Sequence, residues 1–249
     1  MSHLAHIVRH PIKSIGYEDL QSAPLPEGRV LPFDRHWAVA HDAAQLNGQP
    51  TEWMAKGNVI RGAAGHPLMA VQAALNETDE TVTLTHPEAD RITVRALEDG
   101  AVLIDWLRPF WPDNRPAPAQ VVSLKDQAMT DVPEPYVSIL CLSSLKALEE
   151  QMGTDLSIHR FRGNLWIDGW PAFAEFNLIG KTIRIGDAEL KVETRITRCQ
   201  ATTVNPGTGH ADADTLRALN AAFGHQDFGV YARVTKSGTV TINDKVEIL

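Results

Sequence analysis

Short runs of alternating apolar and polar residues recur along the 249-residue chain, and turn-forming residues separate them. The alternation has period two in TVTLT (81–85) and RITVRAL (91–97), and in TIRIGDAELKVETRI (182–196) two such runs flank Gly186-Asp187. Because side chains alternate between the two faces of a β-strand, these patterns predict strands and a hairpin. A regular alternation of strands with helices is missing, which disfavours a doubly wound parallel sheet. The sequence therefore predicts a mainly β, β-barrel-like fold.

Other segments complete this prediction. Apolar runs predict further strands at LAHIVRHPI (4–12), HWAVAH (36–41), LMAVQAAL (68–75) and VLIDWL (102–107), and RFRGNLWIDG (160–169) is strand-like. The segments SSLKALEEQMG (143–153) and DADTLRALNAAFG (212–224) place their apolar residues at helical spacing and predict two of the few helices. The first of these helices has a serine at 143 or 144 that can cap its N-terminus.

Charge and cysteine content exclude several classes of function. The formal net charge of -8 repels a phosphate backbone, so we expect no nucleic-acid partner. Cys141 and Cys199 are too few for a disulfide framework or for an all-cysteine zinc or iron–sulfur site. The sequence contains no run of 18 apolar residues, so it predicts no membrane-spanning helix. The N-terminus also lacks the apolar stretch of a signal peptide, and we therefore expect a cytoplasmic protein with no membrane partner. The signatures GxGxxG, HExxH, GxSxG and the Walker loop are also missing.

Two segments in the C-terminal half carry candidate chemistry, and each has a plainer interpretation. In an extended RFRGN, the side chains of Arg160, Arg162 and Asn164 would share one face, where two guanidiniums suit a phosphate or carboxylate. A solvated face paired with acidic residues is the alternative. Cys199 follows Arg198, and a thiolate near a cation binds soft metals or attacks electrophiles, whereas a lone cysteine is otherwise a small buried hydrophobe.

The N-terminal part offers further cations. HPIKSIG (10–16) holds Lys13 and Ser14, which could bind a phosphate or could simply be exposed. FDRHWAV (33–39) holds Arg35, whose alternative role is an ion pair with Asp34 or another acid. Cys141 lies in the apolar run VSILCL and is more typical of a core residue.

Taken together in chain order, these segments resemble one family. The stretches HPIKSIG, FDRHWAV, RFRGNLWIDG, AFAEFNLIGKTIRIGDAELKV, TRCQATTVNPGTG and FGVYARV are similar to the MOSC family, the domain found at the C-terminus of molybdenum-cofactor sulfurases. The chain also resembles two-part proteins with a MOSC N-terminal β-barrel, which include bacterial relatives of the mitochondrial amidoxime-reducing component. The resemblance implies an N-terminal MOSC-associated β-barrel at 1–110 packed on a C-terminal MOSC β-barrel at 111–249.

The resemblance also implies a cofactor and the residues that hold it. Cys199 matches the cysteine that ligates molybdenum through its thiolate, and the cofactor is the molybdenum cofactor (molybdopterin), with no use of pyridoxal phosphate. The positions implied to bind or flank the cofactor are Lys13, Ser14, Arg35, Arg160, Arg162, Asn164, Arg198, Thr202 and Thr203.

Two departures from the family pattern stand out. Gly163 takes the place of a proline found in many relatives, and TEWMAKGNVIRG (51–62) stands where an R-Q-x-P-x-L-like segment is expected. Cys141 lies near a position often held by a small hydroxyl residue, so lining the site is an alternative to a core role.

The implied function is a molybdenum-dependent oxidoreductase that reduces N-hydroxylated or N-oxide-type small molecules, with Cys199 as catalytic metal ligand. Electrons would come from a separate flavin or iron–sulfur reductase. The alternatives are a sulfur or cofactor carrier that uses a Cys199 persulfide without turnover, and a β-barrel interaction module that has lost the cofactor.

Overall fold

Strands make up most of the regular structure, which confirms the predicted mainly β fold. The computed structural model describes residues 2–44 and 46–249. Over those residues the strands are, in chain order, β1 (His3–Arg9), β2 (Glu18–Leu20), β3 (Ser22–Leu25), β4 (Trp37–His41), β5 (Gln72–Asn76), β6 (Thr81–His86), β7 (Ala89–Arg95), β8 (Pro118–Ser123), β9 (Tyr136–Cys141), β10 (Leu165–Asp168), β11 (Thr182–Ile185), β12 (Ala188–Thr197), β13 (Asp227–Lys236), β14 (Gly238–Thr241) and β15 (Val246–Ile248). The α-helices are α1 (Gly100–Leu107), α2 (Leu142–Met152) and α3 (Thr215–Phe223). No helix in this described part is long and apolar enough to cross a bilayer.

One sheet of eight strands dominates the molecule, in the order β15-β11-β12-β13-β9-β10-β1-β2. Its central strand β13 pairs antiparallel with both β12 and β9, while β9 pairs parallel with β10. The N-terminal strand β1 joins this sheet through β10, and β3 pairs with β14. The first strands of the chain are therefore built into the C-terminal sheet, and their apolar side chains share its core.

The remaining strands form two smaller sheets in the N-terminal half. Strands β5, β6 and β7 form a meander, and β4 pairs with β8. A second apolar core lies here and includes Ile12, Trp37, Leu84 and Leu107. The pairs β1 with β10 and β4 with β8 each join a strand before residue 110 to a strand after it. The division of the chain at 110/111 stays a prediction.

The predicted hairpin at Gly186-Asp187 is confirmed. Strands β11 and β12 pair with Ile185 opposite Ala188, and Gly186 adopts a φ of 55° between them. A Cβ atom at Gly186 would lie 2.6 Å from the carbonyl oxygen of Thr239, so glycine meets both the turn geometry and the close approach.

Of the strand predictions in the N-terminal half, one is wrong and one is wrong in its first part. VLIDWL forms the end of helix α1 and not a strand, because Leu103, Ile104 and Leu107 are spaced to bury one helical face. An apolar run of six residues is too short to distinguish the strand period of two residues from the helix period of 3.6. LMAVQAAL begins as a 3-10 helix (His66–Ala70), and only its second half enters β5.

The two predicted helices are confirmed as α2 and α3, but the predicted serine cap of α2 is wrong. Cys141 occupies the N-cap position without a side-chain hydrogen bond to the helix, and Ser144 instead donates to the carboxylate of Glu175. Helix α2 ends at Gly153, which takes the left-handed conformation with a φ of 67°.

Candidate functional site

A cavity of about 180 Å³ lies where the N-terminal and C-terminal parts of the chain meet. Its wall includes all of the predicted site residues except Thr203, namely Lys13, Ser14, Arg35, Arg160, Arg162, Asn164, Arg198, Cys199 and Thr202. These residues come from segments up to 189 positions apart (13 to 202), so the fold brings together what the sequence separates.

The two cysteines have opposite environments. Cys199 follows the end of β12, is exposed and lines the cavity. The alternative of a buried hydrophobe is therefore wrong for Cys199. Cys141 is completely buried in the core of the large sheet, where its Sγ lies 3.8 Å from the carbonyl oxygen of Trp170. The core interpretation of Cys141 is confirmed, and among the described residues Cys199 is the cysteine that a ligand can reach.

The RFRGN segment is not an extended strand, and this prediction is corrected. Residues Ile158–Phe161 form a 3-10 turn that Ser157 caps by accepting a hydrogen bond from the backbone N–H of His159 at 3.2 Å. Arg162 then takes the left-handed conformation, with a φ of 46°. Strand β10 begins only at Leu165. The turn, and not strand alternation, directs the polar side chains of this segment to the cavity.

Arg162 supplies an incompletely paired guanidinium. Its Nη2 donates to the carbonyl oxygen of Ile12 at 3.4 Å, while its buried Nη1 has no hydrogen-bond partner in the described chain. Burial and, to a smaller extent, the charge of the neighbouring Arg35 lower the pKa of Arg162 to about 9. A buried donor without an acceptor is costly, so this nitrogen calls for an anionic ligand atom.

Two N-terminal cations reach the same cavity. The Nζ of Lys13 lies 2.6 Å from Oδ1 of Asp131, and burial lowers the pKa of this lysine despite that pairing. Arg35 pairs with Asp34, as the plainer interpretation of the sequence suggested, and its Nη2 donates to the carbonyl oxygen of Arg162 at 2.6 Å. Arg35 thus fixes the turn that carries Arg162 and lines the cavity as well.

Asp34 has a structural role behind these cations. It accepts a hydrogen bond from the backbone N–H of His10 at 2.9 Å, and His10 is fully buried beside it. Burial opposes ionisation of Asp34, but Arg35 and His10 hold its pKa well below the usual range. Burial also lowers the pKa of His10 well below its usual value, so a neutral imidazole lies behind the charged side chains.

Arg198 and Arg160 use their donors mainly within the protein. Arg198 donates through Nη1 to the carbonyl oxygen of Phe161 at 2.8 Å and through Nε to that of Phe228 at 2.7 Å. Burial lowers its pKa to about 10. Arg160 donates to the carbonyl oxygen of Thr203 at 3.2 Å and pairs with Asp212 at 2.6 Å. Both guanidiniums therefore hold the loops around Cys199 in place, and Nε of Arg160 is left buried without a partner in the described chain.

Asn164 ties three strands together next to the cavity. Its Oδ1 accepts from the hydroxyl of Ser138 at 2.8 Å, and its Nδ2 donates to the carbonyl oxygen of Val8 at 3.2 Å. The threonines after Cys199 are similarly engaged, since Thr202 donates to the Cys199 carbonyl oxygen at 3.1 Å and Thr203 donates to that of Gln200 at 2.7 Å. These residues shape the site through internal hydrogen bonds.

Sequence reasoning missed several cavity residues. Lys56 and Arg61 lie in the TEWMAKGNVIRG segment that departs from the family pattern, and they add two cations to the wall. Asp131, Tyr136 and Tyr231 also line it. The rings of Tyr136 and Tyr231 stack with centroids 5.3 Å apart, a neighbour relation set by the pairing of β9 with β13. The sequence alone does not indicate this stacking, because it does not show that β9 and β13 are neighbours in the sheet.

The balance of charge on the cavity wall is positive. Its lysines and arginines are Lys13, Arg35, Lys56, Arg61, Arg160, Arg162 and Arg198, whereas its carboxylates are Asp131 and Glu134. Asp131 pairs with Lys13, and Asp212 and Asp34 pair with Arg160 and Arg35 from outside the wall. A cavity with unpaired cations inside an acidic chain suits an anionic ligand.

The chain offers a metal few ligands of its own. Residues 2–44 and 46–249 contain no group of three or more His, Cys, Asp or Glu side chains placed to hold a metal ion. A metal at Cys199 would therefore have to bring most of its ligands with it. A metal carried by an anionic organic cofactor meets that condition, and the thiol and cations of this wall fit such a group.

Several known proteins are similar to this chain. Mitochondrial amidoxime-reducing component 1 of Mus musculus is 31% identical over 156 residues, which cover 56% of this chain and 45% of that protein. Molybdenum cofactor sulfurase of Drosophila erecta is 32% identical over 254 residues, covering 92% of this chain and 31% of the sulfurase. The chain thus spans from about a third to just under half of these relatives. The solved YUAD protein from Bacillus subtilis aligns with 100% of this chain and 96% of its own, with a TM-score of 0.48 and 14% identity.

Two family sequence models together cover almost the whole chain. The MOSC N-terminal beta barrel domain matches residues 1–130, and the MOSC domain matches residues 126–247. The first match alone spans more than half of the 249 residues. The chain therefore belongs to the MOSC family, with a MOSC N-terminal beta barrel domain preceding its MOSC domain.

Proposed function

We propose that this chain binds the molybdenum cofactor in the cavity and reduces N-hydroxylated or N-oxide-type small molecules there. One observation carries the proposal: an exposed thiol, Cys199, shares a cavity with the buried and unpartnered Nη1 of Arg162. The names of its relatives, a molybdenum cofactor sulfurase and an amidoxime-reducing component, support the same cofactor and substrate class.

The wall divides into a soft end and a cationic end. Cys199 would ligate molybdenum, since a thiolate is a preferred ligand for a soft metal. Arg162, Lys13 and Arg35 would hold the anionic part of the cofactor through charge-assisted hydrogen bonds, and the Ser14 hydroxyl can add another. Asn164, Arg160, Arg198, Thr202 and Thr203 would keep this wall in shape through the internal bonds described above.

When bound, the cofactor would supply a two-electron metal centre able to take up an oxygen atom. The chain's own residues bind and orient. Arg198 fixes the backbone before Cys199 by its bonds to the carbonyl oxygens of Phe161 and Phe228. Burial raises the pKa of Tyr231, so its hydroxyl stays protonated at neutral pH and can donate a hydrogen bond to a polar ligand in the cavity.

Two further parts of the proposal concern the surroundings of the protein. Reduction of an N-hydroxyl group to an N–H group and water consumes two electrons and two protons. We propose that the electrons come from a separate flavin or iron–sulfur reductase, and that the protein works in the cytoplasm.

Metal content tests the proposal directly. The protein and two variants, Cys199→Ala and Cys141→Ala, are purified from cells that make the cofactor, and molybdenum per chain is measured by mass spectrometry. We expect substantial molybdenum in the wild type and in Cys141→Ala, and a marked loss in Cys199→Ala. Near-zero molybdenum in the wild type, or equal content in all three proteins, would overturn the proposed ligand. Oxidation of a reduced viologen dye by an N-hydroxylated amidine then reports turnover.

A carrier function is the second candidate, and the exposure of Cys199 favours it over a purely structural role. A persulfide on this thiol would add the mass of one sulfur atom to the intact protein, and a reductant would remove it. Intact-mass analysis of freshly purified protein separates the two functions. The added sulfur without bound molybdenum supports the carrier, and molybdenum without added sulfur supports the reductase.

A further inference from the structure

Asp131 places a negative charge among the cations of the cavity. It lies on the segment between β8 and β9, and its Oδ1 is 2.6 Å from the Nζ of Lys13. The lysine side chain is 6% exposed and the aspartate side chain 49% exposed, so the carboxylate lies between the buried ammonium and the open part of the cavity.

The segment that carries Asp131 is attached at several points. The backbone N–H of Met129 donates to the carbonyl oxygen of Arg35 at 2.8 Å, and the Trp53 indole donates to that of Thr130 at 3.2 Å. Gln127 closes the segment on itself by donating to the carbonyl oxygen of Pro133 at 2.8 Å. These bonds place Asp131 against Lys13 before any ligand arrives.

The electrostatic surroundings keep Asp131 ionised. Burial opposes its ionisation, but Lys13, Lys56 and Arg35 hold its pKa below the usual value. A small anion that approaches Lys13 therefore meets an ammonium that already has a counter-ion. Arg162, whose Nη1 has no acceptor among the described residues, has no such counter-ion within salt-bridge distance.

We propose that Asp131 is an internal counter-ion that weakens the binding of small inorganic anions at Lys13. To reach the Lys13 ammonium, orthophosphate, which is abundant in cells, would have to displace the Asp131 carboxylate. A larger phosphate-bearing ligand that also contacts Arg162 and Cys199 gains enough from its other contacts to do so. The inference rests on the proposed function only in assuming that the natural ligand is anionic.

Binding of inorganic phosphate to the cofactor-free protein tests this selectivity. Titration calorimetry at low ionic strength compares the wild type with Asp131→Asn, which keeps the size and one acceptor oxygen of the side chain. Asp126→Asn is the matched control, because Asp126 lies on the same segment and pairs with Arg29 at 3.1 Å, with both side chains more than half exposed. We expect about tenfold tighter binding by Asp131→Asn and a change of less than about twofold in the control.

The route through Lys13 is tested by a double variant. If Asp131 acts by neutralising Lys13, the gain in phosphate affinity disappears when Lys13→Gln is combined with Asp131→Asn. Equal phosphate affinity of wild type and Asp131→Asn, or weaker binding by the variant, would overturn the inference while leaving the cofactor proposal to the molybdenum measurement. Lack of phosphate binding by every variant would overturn it too. Circular dichroism checks the fold, and Asp131→Ser serves if Asp131→Asn is unfolded.

Discussion

Glu175 gives the most quantitative prediction, because it is a carboxylate buried without a cation. The residue is completely buried, and both carboxylate oxygens accept from the hydroxyl of Ser144, at 3.0 and 3.1 Å. No lysine, arginine or histidine of the described chain lies within salt-bridge distance of it. Burial raises the pKa of Glu175 to about 7 from 4.5, although hydrogen bonds from Ser144 and from the backbone of Glu175 and Gly229, together with the charge of Arg198, partly oppose the shift.

The sign of the pH effect follows from this shift. Between pH 4.5 and about 7 the folded protein keeps a proton on Glu175 that the unfolded chain has released. The contribution to stability is therefore fully present below pH 4.5 and is lost as the pH rises through about 7. Each pKa unit corresponds to about 1.4 kcal/mol, so ionisation of Glu175 costs up to about 3 kcal/mol of unfolding free energy at pH 8.

Glu175→Gln removes the ionisation and keeps the shape and an acceptor oxygen. We expect the variant to be more stable than the wild type by about 2–3 kcal/mol at pH 8, and to differ from it by less than about 1 kcal/mol at pH 5. Urea unfolding followed by tryptophan fluorescence at both pH values measures the difference. Glu150→Gln, an exposed position on α2, is the control for the loss of one charge. An equal stability difference between Glu175→Gln and wild type at pH 5 and pH 8 would refute the reasoning.

Two further predictions concern Gly163 and the two cysteines. Gly163→Ala should lower the unfolding free energy by about 1–3 kcal/mol, because the added Cβ would lie 2.1 Å from Cδ1 of Leu140, and the cost measured by urea unfolding should be smaller in a Leu140→Ala background. Iodoacetamide added to the native, cofactor-free protein should modify Cys199 and leave Cys141 unmodified until urea unfolds the chain, as peptide mass mapping will show; early modification of Cys141 would contradict its placement in the core.

The sequence predicted the β architecture well where strands have one buried face. In β11 and β12 the buried residues Ile183, Ile185, Leu190 and Val192 occur at every second position, so the period of two was visible directly. The strand prediction for VLIDWL was wrong because a short apolar run is compatible with both a strand and one buried face of a helix. The pairing of β1 with β10 could not be predicted from the sequence, since strand order depends on contacts between distant segments.

The candidate site was predictable by resemblance rather than by local pattern. Local patterns raised Lys13, Arg35, Arg162 and Cys199 as candidates with plainer alternatives open, the family motifs assigned them to one site, and all four line the cavity. Asp131 was not found, because a single aspartate in a loop carries no periodic or motif signal, and its meaning depends on the 2.6 Å contact with a lysine 118 positions earlier. Contacts of that separation are decided by the fold.

RFRGN shows how a correct grouping can follow from a wrong geometry. Alternation in a strand would have placed Arg160, Arg162 and Asn164 side by side with equivalent roles. The turn instead gives each a different role: Arg160 pairs with Asp212, Asn164 bonds to Ser138 and Val8, and Arg162 keeps its Nη1 without a partner in the described chain. The left-handed conformation of Arg162 turns the chain between Arg160 and Asn164. Asn164 is therefore engaged inside the protein, while Nη1 of Arg162 and Nε of Arg160 stay buried without a partner in the described chain.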